Sequence, residues 1–172
     1  RQGVVTSATV GASSSATASA VANNSTVKNA QWAVISTGSN DAVTTNDGKG
    51  QLTSNMFAIR TSLNAQNYTW ILPKDPVRRE VVYGFAKGKG DNVVDIGAST
   101  DGVHPKNYTE LATNVNATIA TQTKAPDNVA NTNSTAAVSN PSIGVQLASF
   151  STDGDYTLLN VSFPPGNQST AS

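Results

Sequence analysis

The chain has 172 residues, of which 37% are hydrophobic and only 13% charged, and its eleven basic and eleven acidic side chains cancel. That length suits one domain, or one domain with a tail, and is enough to bury a sizeable core. Zero net charge removes nucleic acid and acidic lipid as implied partners, the lack of cysteine removes disulfides, thiolate metal sites and cysteine nucleophiles, and no apolar run is long enough to span a bilayer, so no membrane insertion is expected.

A surface so poor in ions is built from Ser, Thr, Asn, Gln and Ala. Hydroxyls and amides keep their hydration where carboxylates become protonated, which suits an acidic exterior. No basic-then-apolar leader stands at Arg1. For a secreted chain the expectation is a leader already removed.

Residues 1–28 are Ala, Ser, Thr, Val and Gly with almost nothing larger. Val4, Thr6, Ala8 and Val10 alternate with Val5, Ser7 and Thr9, which predicts a strand over Gly3–Ala12 with small side chains on both faces. Such a strand can enter a narrow groove and complete an unfinished sheet, in its own chain or in a neighbour. Further along, short β-prone runs are separated by Gly, Pro, Asn and Asp. They predict strands at Gln31–Thr37, Leu52–Ile59, Tyr68–Leu72, Glu80–Ala86, Asn92–Gly97, Leu111–Thr121, Ile143–Phe150 and Tyr156–Phe163. Asp47-Gly48, Asp101-Gly102 and Asp153-Gly154 are turn dipeptides. The last would close Ile143–Phe163 as a hairpin. Residues 124–141 read as a long polar loop. The fold expected is all-β: an antiparallel Ig-like or pilin-like β-sandwich over residues 29–172, with residues 1–28 as an extended N-terminal donor strand and linker.

Asparagine carries the strongest functional signal. Sequons Asn-x-Ser/Thr begin at Asn23, Asn24, Asn67, Asn107, Asn116, Asn133, Asn160 and Asn167. Ser and Thr fill roughly a quarter of the chain, so its asparagines would give about four matches by chance, half the number present. Covalent N-linked glycans on an extracellular surface are therefore expected, with Asn23 and Asn24 too close for both to be occupied.

Catalytic and cofactor motifs find little support. His104, the only histidine, stands beside Pro105 and reads as a surface-loop residue. One imidazole without cysteine makes no typical zinc site, and no nucleophile-elbow pattern surrounds any serine. Lys87-Gly88-Lys89-Gly90-Asp91 lacks the spacing of a phosphate loop. Asp153-Gly154-Asp155 is too short for a calcium loop. Glu80 and Glu110 are the only glutamates and carry no sign of an acid/base pair. Trp32 and Trp70 read as core anchors. No enzyme activity and no cofactor are expected.

The small-residue N-terminal strand, the dense sequons and the missing cysteine resemble the subunits of archaeal extracellular threads, the surface filaments of thermoacidophiles. That resemblance covers the layout of the whole chain and implies a structural subunit serving adhesion or biofilm formation. It implies partners that are identical subunits joined head to tail by donor-strand complementation. Val4, Val5, Thr6, Ala8 and Val10 would be the donated residues and the sequon asparagines the glycan sites. It also implies isopeptide cross-links, whose residues the sequence does not identify. The competing expectation is a non-polymerising surface module, associated with an S-layer or binding carbohydrate.

Overall fold

A computed structural model describes residues 4–8, 12–27, 31–121 and 144–148. It overturns the β-sandwich. The described residues form an α/β fold with five parallel strands: β1 (Val4–Ala8), β2 (Trp32–Ser36), β3 (Asn67–Leu72), β4 (Asn92–Asp95) and β5 (Gly144–Ala148). Their order across the sheet is β1-β5-β2-β3-β4. Four helices connect or flank them: α1 (Ser14–Ala22), α2 (Asn46–Leu63), α3 (Pro76–Gly88) and α4 (Tyr108–Thr121).

The inner strands explain why the sandwich fails. Every residue of β2 is buried, as are all of β3 after Asn67. Successive side chains enter two different cores. Ala33, Ile35, Tyr68, Trp70 and Leu72 join Leu52, Met56, Ile59, Val82 and Ala86 beneath α1, α2 and α3. Trp32, Val34 and Ile71 join Val94, Leu111, Ala112, Val115 and Ile119 beneath α4. A strand covered on both faces reads as a continuous apolar run, the mark of a parallel sheet. Chain direction accounts for the two layers. From β2 to β4 the chain advances one way across the sheet with its helices on one face. The return from β4 to β5 runs the other way, and right-handed crossover puts α4 on the opposite face.

Three expected strands are helices. Leu52–Ile59 lies within α2, where Leu52, Met56, Ile59 and Leu63 are fully buried at spacings of four, three and four. That is one stripe of a helix, and each side chain contributes roughly 1.5–3 kcal/mol. Thr45 caps its start by accepting from the Gly48 amide at 3.0 Å. Asp47 favours the positive end of its dipole, and Asn64 ends it at φ 50°. The Asp47-Gly48 dipeptide is thus a helical first turn. Glu80–Ala86 lies within α3, opened by the Asp75 cap and Pro76. Leu111–Thr121 lies within α4, whose buried stripe is Leu111, Ala112, Val115 and Ile119.

The donor strand is also corrected. Val4, Val5, Thr6 and Ala8 lie in β1, which pairs in parallel with β5 of the same chain, from Val4 with Gly144 to Ala8 with Ala148. Its backbone completes its own sheet. Residues 14–27 are α1 and a short 3-10 turn (Ser25–Val27), and they deliver Val21 and Val27 to the main core. β5 runs parallel to both its neighbours. Val10, residues 124–141 and Tyr156–Phe163 lie outside the described residues.

Candidate active site

All five strands being parallel, their carboxyl ends share one edge of the sheet, the edge where ligands bind in open α/β sheets. The segments leaving β1, β2 and β4 there carry Ser13 and Ser14, the run Gly38-Ser39-Asn40-Asp41, and the stretch 96–107.

The first two segments are locked together. Ser13 is the cap of α1, its hydroxyl accepting from the Ala16 amide at 3.2 Å. The Asn40 amide donates to the Ala12 carbonyl at 3.2 Å. Ser14 is fully buried. Its amide donates to Asp41 Oδ1 at 2.8 Å and its hydroxyl to Asp41 Oδ2 at 2.5 Å, while Asn55 of α2 donates to the same hydroxyl at 3.0 Å. Arg78 of α3 donates to the Asp41 carbonyl at 2.8 Å. Gly38, at φ 103°, turns the chain sharply out of β2. A side chain there would be strained and would press on Val82 at 3.2 Å.

Ser14 is therefore a structural hydroxyl with both roles taken. Ser13 is partly exposed, and the cap bond uses its oxygen as an acceptor only. Asn40 is exposed, and its tether to Ala12 uses one of two amide hydrogens.

The third segment holds the only histidine. Asp101 Oδ1 accepts from the amides of Val103 and His104, both at 2.8 Å, and Asp101 Oδ2 meets His104 Nδ1 at 2.6 Å. The Ser99 hydroxyl adds a bond to Asp101 at 3.2 Å and accepts from the Gly102 amide at 2.9 Å. Gly102 takes φ 81° to close this turn. The His104 amide and then its imidazole, with the Val103 amide, hold the Asp101 carboxyl far below the usual carboxylate range. An ionised carboxylate only accepts, so Nδ1 is the donor in this contact. Nε2 is buried and has no hydrogen-bond partner among the described residues. Lys106 closes the segment by donating from its amide to the Ala98 carbonyl at 2.7 Å, and the Lys74 ammonium holds the Gly97 carbonyl at 3.1 Å.

His104 is thus a half-buried, oriented imidazole rather than a free surface one. Sequence reasoning missed Ser13, Asn40 and Asp101. Two short spacings carried the signal: Asp101 three residues before His104, which lets a local turn fold the carboxylate onto the ring, and Gly38-Ser39-Asn40-Asp41 directly after an apolar strand. Among the described residues no group of His, Asp and Glu is arranged to hold a metal ion.

The structure disperses the sequons. Asn23 and Asn107 are exposed, at the end of α1 and the start of α4, and Asn24 and Asn116 are half-buried. Asn67 opens β3, and its side-chain nitrogen is buried. Asn133, Asn160 and Asn167 lie outside the described residues.

Comparison of the chain with family models, with curated proteins and with solved structures finds no match.

Proposed function

We propose that this protein is a hydrolase acting at the carboxyl edge of its sheet, with His104 as the general base and Asp101 as the group that orients it. The observation that carries the reading is His104. Its Nδ1 is held by a carboxylate, and its buried Nε2 has no hydrogen-bond partner among the described residues, a pairing that suits a general base. A water oxygen bonds to the substrate's carbonyl carbon as its proton passes to His104 Nε2, and the leaving group departs with that proton. Ser13 and Asn40 take no part, because they follow β1 and β2 whereas His104 follows β4, and β1 and β4 are opposite edges of the described sheet.

The extracellular, glycosylated setting remains part of the proposal, supported by exposed acceptors at Asn23 and Asn107. The filament reading loses its support, because it needed an open sandwich and a free strand, and β1 is paired within the chain.

The test is hydrolysis of p-nitrophenyl acetate by the full chain and its variants. The expected result is turnover that is lost in His104→Gln and lowered in Asp101→Asn. No turnover in the folded protein, or turnover unchanged in His104→Gln, refutes the assignment.

A further inference from the structure

The stretch 96–107 leaves β4 by one stem, through Ile96 and Ala98, and enters α4 by another, through Lys106 and Asn107. Between these stems lies a cavity of about 260 Å³, lined by Ile96, Ala98, Lys106, Asn107 and Glu110. Asn107 opens the sequon Asn107-Tyr108-Thr109. Its side-chain oxygen caps α4 by accepting from the Glu110 amide at 2.9 Å. An N-linked sugar attaches through the side-chain nitrogen, so cap and glycan use different atoms and coexist.

We propose that Asn107 carries a glycan whose first sugar sits in this cavity and braces the His104-bearing loop. The chemistry of the lining fits that occupant. Glu110 accepts from sugar hydroxyls, Lys106 donates to them, and Ile96 with Ala98 offers an apolar floor to the ring's C–H face. At about 30 Å³ per water molecule the cavity equals roughly nine waters, room for one pyranose ring. A sugar held there touches both stems at once. It restrains the loop at its base, as the backbone bond from Lys106 to Ala98 already does. The inference rests on the glycosylated setting proposed above and not on catalysis.

The test uses the full chain made in a host that N-glycosylates, compared with Thr109→Ala, which removes the acceptor pattern and leaves the Asn107 cap. Enzymatic removal of the glycan, which converts Asn107 to aspartate, gives a second bare form that also keeps a capping oxygen. The expected result is a glycan mapped to Asn107 by mass spectrometry. Backbone amides across 98–106 should exchange about tenfold more slowly in the glycosylated chain than in either bare form. Lys106 should be correspondingly less reactive towards acetylating reagent. A bare Asn107, or an occupied one with unchanged exchange and unchanged Lys106 reactivity, overturns the proposal. These readouts need no turnover, so they separate this inference from the hydrolase assignment.

Discussion

Replacing Asp91 should be among the most damaging single changes to this fold. Its side chain is only 5% exposed and sits just before β4. It takes three charge-assisted hydrogen bonds: from Arg60 Nε at 2.9 Å, from Arg60 Nη2 at 2.8 Å, and from the Trp70 indole at 2.8 Å. The hydrogen bond with Asp91 is also what most raises the Arg60 pKa above its ordinary value. Arg60 in turn lies 4.3 Å above the Tyr68 ring, and Trp70, fully buried, packs edge-on against Phe85. Asp91→Ala strands the indole N–H, at about 1–3 kcal/mol for an unsatisfied buried donor. It also removes the partner of a guanidinium that is 29% exposed. Water partly replaces that partner, so the ion pair adds only about 1 kcal/mol. The expected loss is about 3 kcal/mol, or roughly 6–12 °C in Tm for a chain of this size. Asp91→Asn keeps an acceptor for Trp70 and should lose about half as much. Urea unfolding followed by tryptophan fluorescence measures both. An Asp91→Ala protein within 0.5 kcal/mol of the parent, or an Asn variant as damaged as Ala, refutes the account.

Three further outcomes are expected. Gly48→Ala would place its Cβ 2.3 Å from the Ala42 carbonyl oxygen; the first turn of α2 must shift, costing about 1–3 kcal/mol, whereas Gly50→Ala, which meets nothing, should be neutral or stabilising in the same melts. The Asp101 carboxyl, held below its ordinary value of 3.8, should stay ionised when other carboxylates have titrated. Its contribution to stability is complete above that ordinary value and is lost only as pH falls through the lower folded one; a carboxyl-carbon NMR titration with a midpoint near 3.8 would contradict the turn geometry. Asn67 should remain unglycosylated in native material, because its side-chain nitrogen is buried at the start of an inner strand, and a glycopeptide containing Asn67 would contradict the placement of β3.

Strands were legible in the sequence and helices were not, for identifiable reasons. The runs at Gln31–Thr37, Tyr68–Leu72 and Asn92–Gly97 are apolar and β-branched, and β2, β3 and β4 fall on them. The near-continuous apolar character of the first two is the mark of strands covered on both faces, but the Asp-Gly dipeptides drew the reading towards hairpins. The helices are written in unfavourable letters. α1 is Ser-Ser-Ala-Thr-Ala-Ser-Ala-Val-Ala and α4 is rich in Thr and Asn, residues of middling helix propensity. In α2 the apolar stripe is only four residues among eighteen. Tertiary burial of that stripe, not local preference, stabilises the helix. For the candidate site, His104 was visible as a residue but not as a group. Its partner Asp101 belonged to an Asp-Gly pair already explained as a turn. Ser13 lay among small residues explained as the linker after a strand. Asn40 gains a role only when the β2 segment meets the α1 cap, a contact across 28 residues of chain.

The pairing of β1 has a consequence for how the protein comes to be assembled. Its one neighbour among the described strands is β5, and their register partners Val4 and Gly144 stand 140 positions apart. During synthesis β2, β3 and β4, with α2 and α3, can therefore settle while Val4–Ala8 still has no strand to join. Contacts that span so much chain are slow to close. On the ribosome, the strand that leads into Ser13 must wait longest for its place. The Ser13 cap of α1 gains its final support only after β5 has emerged, so a nascent or truncated chain ending before residue 144 should hold its inner sheet and lack a finished carboxyl edge.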